Sequence, residues 1–240
     1  MHTPEAIKRR IAATQQHSYL GDFVLGAVDG AVTTFAIVAG AAGAGLSSGV
    51  AIVLGLANIA ADAFSMAASN YLKSRSDLQM VDRFRRMEEQ HIELVPDAER
   101  EEIREIFASK GFEGDVLEEI VRVITKDRQQ WVDTMLTEEW GLQIDLPSPA
   151  KAAIATFASF MLAGFVPLVP LFFAVWLAGN QMFLASAILT GATFFAIGLV
   201  RGRLADHNPM KTGLETLFIG GTAAALAYLV GVLLKGFAGA

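Results

Sequence analysis

Glu88, His91, Glu99, Glu102, Met135 and Glu139 bring carboxylate, imidazole and thioether donors into one stretch of a chain that has no cysteine. Oxygen, nitrogen and sulfur donors together suit a divalent transition metal better than Ca²⁺ or Mg²⁺, which take all-oxygen shells. Spacing sharpens the set. Leu78, Val81, Phe84, Ile92 and Val95 form an apolar stripe at helical intervals. Glu88 falls in the middle of that stripe, His91 at one edge, and Glu89 and Glu93 toward the other. A carboxylate centred on a packing face needs a partner there. Glu99 and Glu102 are three apart, while Met135 and Glu139 are four apart on the side continued by Trp131. Glu-rich helices more commonly mean a solvated acidic surface, and that reading covers Glu101, Glu105, Glu118 and Glu119.

A second set of donors lies in apolar surroundings. Asp22 and Asp29 fall in the first long apolar stretch and Asp62 in the second. A charge at the centre of a bilayer costs about 2.5–3.5 kcal/mol on insertion scales, so such residues usually face a cavity or the bundle interior. Asp22 is placed at the water interface, with Asp29 and Asp62 deeper. Asp22, Asp29 and Thr33 share one helix face; Asn58, Asp62 and Met66 recur every four residues, with Ser65 and Ser69 alongside. Gly26, Gly30, Ala57 and Ala61 flank these stripes and predict a close approach of the two helices. Stripes facing each other would line a path with oxygen and sulfur. Carboxylates bind metals only when deprotonated, so such a path couples a cation to protons. The spacing also leaves Asp29 and Asp62 open to a structural hydrogen-bonding role, and Met66 to filling a core.

The elements that must position these residues follow from the distribution of apolar side chains, which make up 53% of the 240 residues. Five stretches approach or exceed the ~20 residues a spanning helix needs: 21–45, 50–72, 150–178, 182–200 and 212–234. Between the second and third lies a segment holding 19 of the 25 acidic and 11 of the 19 basic residues. The expectation is an all-α integral membrane protein of five transmembrane helices, with a three-helix cytosolic metal-binding insert between the second and third. Its divisions are 1–72, 73–148 and 149–240. The insert helices are expected over 75–94, 98–109 and 115–140, separated by Pro96 and by Gly111 with Gly114. Pro167 and Pro170 should kink or break the third span, and Glu215 should pair with the basic loop before it. Lys8, Arg9, Arg10, Lys73, Arg75, Lys151, Arg201, Arg203 and Lys211 all fall on one side of this topology, and only Lys235 on the other. The positive-inside bias therefore puts the N-terminus and insert in the cytosol and the C-terminus outside. With no targeting segment evident, a prokaryotic plasma membrane is the expected location. No nucleophile motif, phosphate-binding glycine loop or nucleotide site points to an enzyme, and any pumping must draw on a gradient.

The residues also resemble the vacuolar iron transporter family over nearly the whole chain. The run from Asp22 through Gly26 and Asp29-Gly30 to Val32-Thr33-Thr34 resembles the family's first-helix pattern, and Ser65-Met66-Ala67-Ala68-Ser69-Asn70-Tyr71-Leu72 its second-helix segment. Lys110-Gly111-Phe112, Trp131 to Met135 and Glu138 to Leu142 resemble its insert. The resemblance implies a homodimer that exchanges Fe²⁺ for H⁺, exporting Fe²⁺ from the cytosol along a path at the dimer interface. Asp29 and Met66 match the family's path residues. Glu88, His91, Glu99, Glu102, Met135, Leu136 and Glu139 match its metal-binding positions. His91 and Leu136 depart from the pattern, where a Glu and a Met are expected, and Asn70 stands where some relatives carry Glu. The implied partners are divalent metal, protons and lipid, with Fe²⁺ as cargo, Mn²⁺ or Zn²⁺ as alternatives, no prosthetic group and no nucleic acid. A membrane-anchored sensor or store without transport is the remaining rival.

Overall fold

The computed structural model describes residues 3–6, 8, 18–173 and 179–237. Arg9, Arg10 and the 174–178 end of the third apolar stretch lie outside these. The described residues form helices and contain no strand. Helix α1 spans Leu20–Ala44, α2 Ser48–Leu94, α3 Pro96–Ser109, α4 Gly114–Lys126, α5 Arg128–Glu138, α6 Pro149–Phe165, α7 Gly179–Leu204 and α8 Pro209–Leu233. Among the described residues, five runs are long and apolar enough to cross a membrane: α1, α2, Pro149–Phe173, Gln181–Leu204 and α8. The chain divides into two compact units, Ser18–Tyr71 with Pro149–Ala240, and Met1–His17 with Leu72–Ser148.

In the first unit α1 packs against α6, α7 and α8. The approach is close enough to require glycine. A Cβ on Gly30 would lie 2.4 Å from the Phe160 carbonyl oxygen, and one on Gly231 of α8 would lie 2.2 Å from that of Gly40. Gly26 likewise abuts Thr156 and Ser159. The expected approach of α1 to α2 through Gly26 and Gly30 is therefore corrected: both glycines face α6, about 100° around the helix from Asp29 for Gly30. Helix α2 instead packs through Ala51, Gly55, Ile59 and Ala63, four residues apart and all buried. Leu168 reaches Gly55, and Ile59 joins Phe35 and Val38 of α1. Ala57 and Ala61 are exposed. The remaining faces of α2 present Val53, Leu54 and Phe64, the last 70% exposed, as a helix bordered by lipid or by another apolar surface would.

The prolines act as their chemistry dictates. The α-helical part of the third span stops at Phe165, and Val166–Phe173 tightens into a 3₁₀ helix containing Pro170. The Ser186 hydroxyl donates to the Pro167 carbonyl at 2.7 Å, one way an apolar bundle re-satisfies backbone at such a break. Glu215 pairs with Arg201, as expected.

Helix α2 is 47 residues, about 70 Å at 1.5 Å per residue. A hydrocarbon core is about 30 Å thick, so this helix cannot be confined to one. Its C-terminal half is the insert helix expected over 75–94. In the second unit Val81 and Ile92 of this half pack with Ile103, Leu117, Val121, Ile124, Trp131, Val132, Met135 and Leu136. The single helix expected over 115–140 is corrected to two, α4 and α5. Asp127 takes an extended conformation at the break, and its carboxylate accepts from the Gln129 and Gln130 amides. A short acidic side chain satisfies the free N–H groups of a new helix start better than it continues an old helix.

Candidate metal centre and membrane carboxylates

The insert set is gathered by the packing just described. Glu88, centred on the apolar ridge of α2, is 1% exposed, and Glu99, in the first turn of α3, is 2% exposed. One ligand atom each from Glu88, His91 and Glu99 lie within 4.8 Å of one another. His91 Nδ1 is 3.3 Å from Glu99 Oε1. The second oxygens, Glu88 Oε2 and Glu99 Oε2, are buried with no hydrogen-bond partner. Two buried, unpartnered carboxylate oxygens are costly unless a cation or a proton completes them.

Electrostatics extends the group to Glu102 and Glu139. Burial, then the charges of Glu102, Glu88 and Glu139, push the Glu99 carboxyl up to about 7. Partial desolvation and the charges of Glu88 and Glu102 push Glu139 up to about 7 as well, with His91 opposing. Five of the six expected insert ligands thus feel one another. Met135 is fully buried within the apolar core, as is Leu136. The remaining acids behave as a solvated surface: Glu101 and Glu118 pair with Arg104, and Glu119 with Arg122. Water screens such exposed pairs, and they add little to stability.

In the other unit Asp29, Asp62, Asn58, Met66 and Asp22 are all half-buried. Asp29 lies on α1 and Asp62 on α2. Asn58 Nδ2 is buried without a partner, as is the Thr34 hydroxyl on α1. Thr33, on the Asp29 face, donates back to the Asp29 carbonyl at 2.8 Å and closes its own turn. Asp22 is not isolated. The Asn70 amide donates to Asp22 Oδ1 and to Thr156 Oγ1, both at 2.8 Å, joining α1, α2 and α6.

Two participants escaped the sequence reading. Thr156 sits in an apolar span where a single hydroxyl is unremarkable, and only the fold brings it to Asn70. Trp140 donates its indole N–H to Glu88 Oε1 at 2.9 Å. Its position beside Glu139, at the glycine-terminated end of a helix, was the available signal.

Known proteins are similar to this chain in sequence. The VIT family model matches residues 20–232. "Vacuolar iron transporter 1" of Eucalyptus grandis is 35% identical over 208 residues, covering 86% of this chain and 83% of the relative. "Vacuolar iron transporter" of Toxoplasma gondii is 34% identical over 232 residues, covering 92% and 76%. "Vacuolar iron transporter 1" of Arabidopsis thaliana is 32% identical over 220 residues, covering 90% and 87%. With the family model spanning nearly the whole chain and relatives above 30% identity over most of both lengths, this protein belongs to the VIT family.

Proposed function

We propose that this protein is a proton-coupled metal transporter that exports Fe²⁺ from the cytosol in exchange for H⁺. The observation that carries the reading is the pair of carboxylates Asp29 and Asp62, half-buried on separate spanning helices. A carboxylate in an apolar span is costly unless a proton or a metal ion neutralises it. A site that alternates between these occupants is an exchanger. The names of the relatives supply iron as the cargo.

In this mechanism Glu88, His91, Glu99, Glu102, Met135 and Glu139 gather the ion from the cytosol. Asp22 receives it at the membrane entrance, held in place by Asn70. Asp29, Asp62, Asn58 and Met66 pass it onward, and protons arriving from the far side at the carboxylates, Asp29 first, release it. The exposed apolar face of α2 and the half-burial of all five path residues favour a homodimer in which two copies complete the path. The distribution of Lys and Arg favours a cytosolic N-terminus and insert with an external C-terminus, and a prokaryotic plasma membrane is the proposed setting.

A second reading rests on the insert being a compact unit with its own core: a membrane-anchored metal sensor or store. His91 also widens the metal range, since imidazole serves Zn²⁺ as readily as Fe²⁺. Anaerobic Fe²⁺ uptake into proteoliposomes separates these readings, with Mn²⁺ and Zn²⁺ as competitors. Gradient-dependent uptake lost in Asp29→Ala supports transport. Tight vesicles under every gradient, with Fe²⁺ still bound by the protein, support storage.

A further inference from the structure

We propose that Trp140 is a positioning residue of the insert's metal site, holding Glu88 so that one oxygen alone faces the ion. The inference rests on the reading of that cluster as a metal site. The indole Nε1–H donates to Glu88 Oε1 at 2.9 Å, while Glu88 Oε2 is buried and unpartnered. The two oxygens therefore have different jobs. Oε1 is committed to the indole, and Oε2 is left without a hydrogen-bond partner in a side chain that shares a cluster with His91 and Glu99, whose own Oε2 is likewise unpartnered. A carboxylate fixed at one oxygen binds an ion through the other and does not swing to chelate it through both.

The indole is itself held in place. Its ring lies against Phe84, one turn before Glu88 on the same ridge, with centroids 4.4 Å apart and planes at 43°. Its backbone N–H donates to the Met135 carbonyl, and Leu142 N–H to that of Leu136, at the end of α5. Gly141 between them has φ +63°, the left-handed conformation that ends a helix in this way. This turn sets Trp140 against Glu88 and Glu139 on the preceding residue, so one helix end supplies a candidate ligand and the orienting donor of another. Partners that orient a ligand from outside the coordination shell typically contribute 10–100-fold in metal affinity.

The test uses the full-length protein in detergent with Co²⁺, whose affinity is read by calorimetry and whose visible spectrum reports ligand geometry. Trp140→Phe keeps an aromatic ring against Phe84 and deletes only the donor. It should weaken Co²⁺ binding by roughly tenfold or more and alter the visible band, with far-UV circular dichroism unchanged. In a Glu88→Gln background the same substitution should cost nothing further, because its effect passes through Glu88. Unchanged affinity in Trp140→Phe, or an equal loss in both backgrounds, overturns the inference while leaving the metal site standing. Glu88→Gln binding Co²⁺ as tightly as wild type overturns the site reading too. Should Trp140→Phe fail to fold, the wild type decides alone: one equivalent of Co²⁺ must quench part of the tryptophan emission, and no quenching refutes the placement.

Discussion

Glu99→Gln should make the metal-free protein more stable and the metal-loaded protein worse. Glu99 is 2% exposed, and its carboxyl is pushed from the ordinary 4.5 to about 7 by burial and by Glu102, Glu88 and Glu139. A shift of one unit corresponds to about 1.4 kcal/mol, so ionising Glu99 in the folded apo state costs about 3 kcal/mol; allowing for water at the open side of the cluster leaves about 2 kcal/mol. The folded carboxyl holds its proton more tightly than the unfolded one. The associated stability is therefore present below pH 4.5 and lost as pH rises through 7. Glutamine is nearly isosteric and never ionises. At pH 8 the variant should gain about 2 kcal/mol in urea unfolding followed by intrinsic fluorescence, shrinking below about 1 kcal/mol at pH 5. Adding Co²⁺ at pH 8 should stabilise wild type and do so much less in the variant. A variant less stable than wild type at pH 8 without metal, or a gain that does not diminish toward pH 5, refutes the reasoning that charge crowding strains the empty site.

Other expectations follow from single contacts. Gly30→Ala, whose methyl would meet the Phe160 carbonyl at 2.4 Å, should lower the thermal midpoint in detergent by an overpacking cost of about 1–3 kcal/mol, while Gly21→Ala, with open space around it, should not. Asp127→Ala removes the cap of α5 and should cost about 1 kcal/mol in urea unfolding. Asn70→Ala frees Asp22 from α2 and α6; it should slow metal uptake into proteoliposomes and leave Co²⁺ binding by the insert unchanged.

Much of this was legible because membranes and metals impose strong rules on sequence. Spanning length, the proline break after Phe165 and the misfit of Glu88 on an apolar stripe each follow from local chemistry, and each reappears in three dimensions. What was not legible depended on which side of a helix meets which neighbour. Gly26 and Gly30 announced a close approach but could not name α6 as the partner. The break at Asp127 was hidden because 115–140 reads as continuously helical in propensity, and one side-chain cap decides the matter. Asn70 to Thr156 and Trp140 to Glu88 join residues far apart in the chain, where no periodicity reaches.

The central claim is exchange of a metal ion for protons through Asp29. It is tested most directly by following luminal pH with an entrapped dye while Fe²⁺ is added anaerobically to voltage-clamped proteoliposomes. Fe²⁺ entering wild-type vesicles should drive protons out, so that luminal pH rises in step with uptake, and Asp29→Asn should abolish both. Fe²⁺ entry with no change in luminal pH, or the same coupled exchange in Asp29→Asn, would contradict the account.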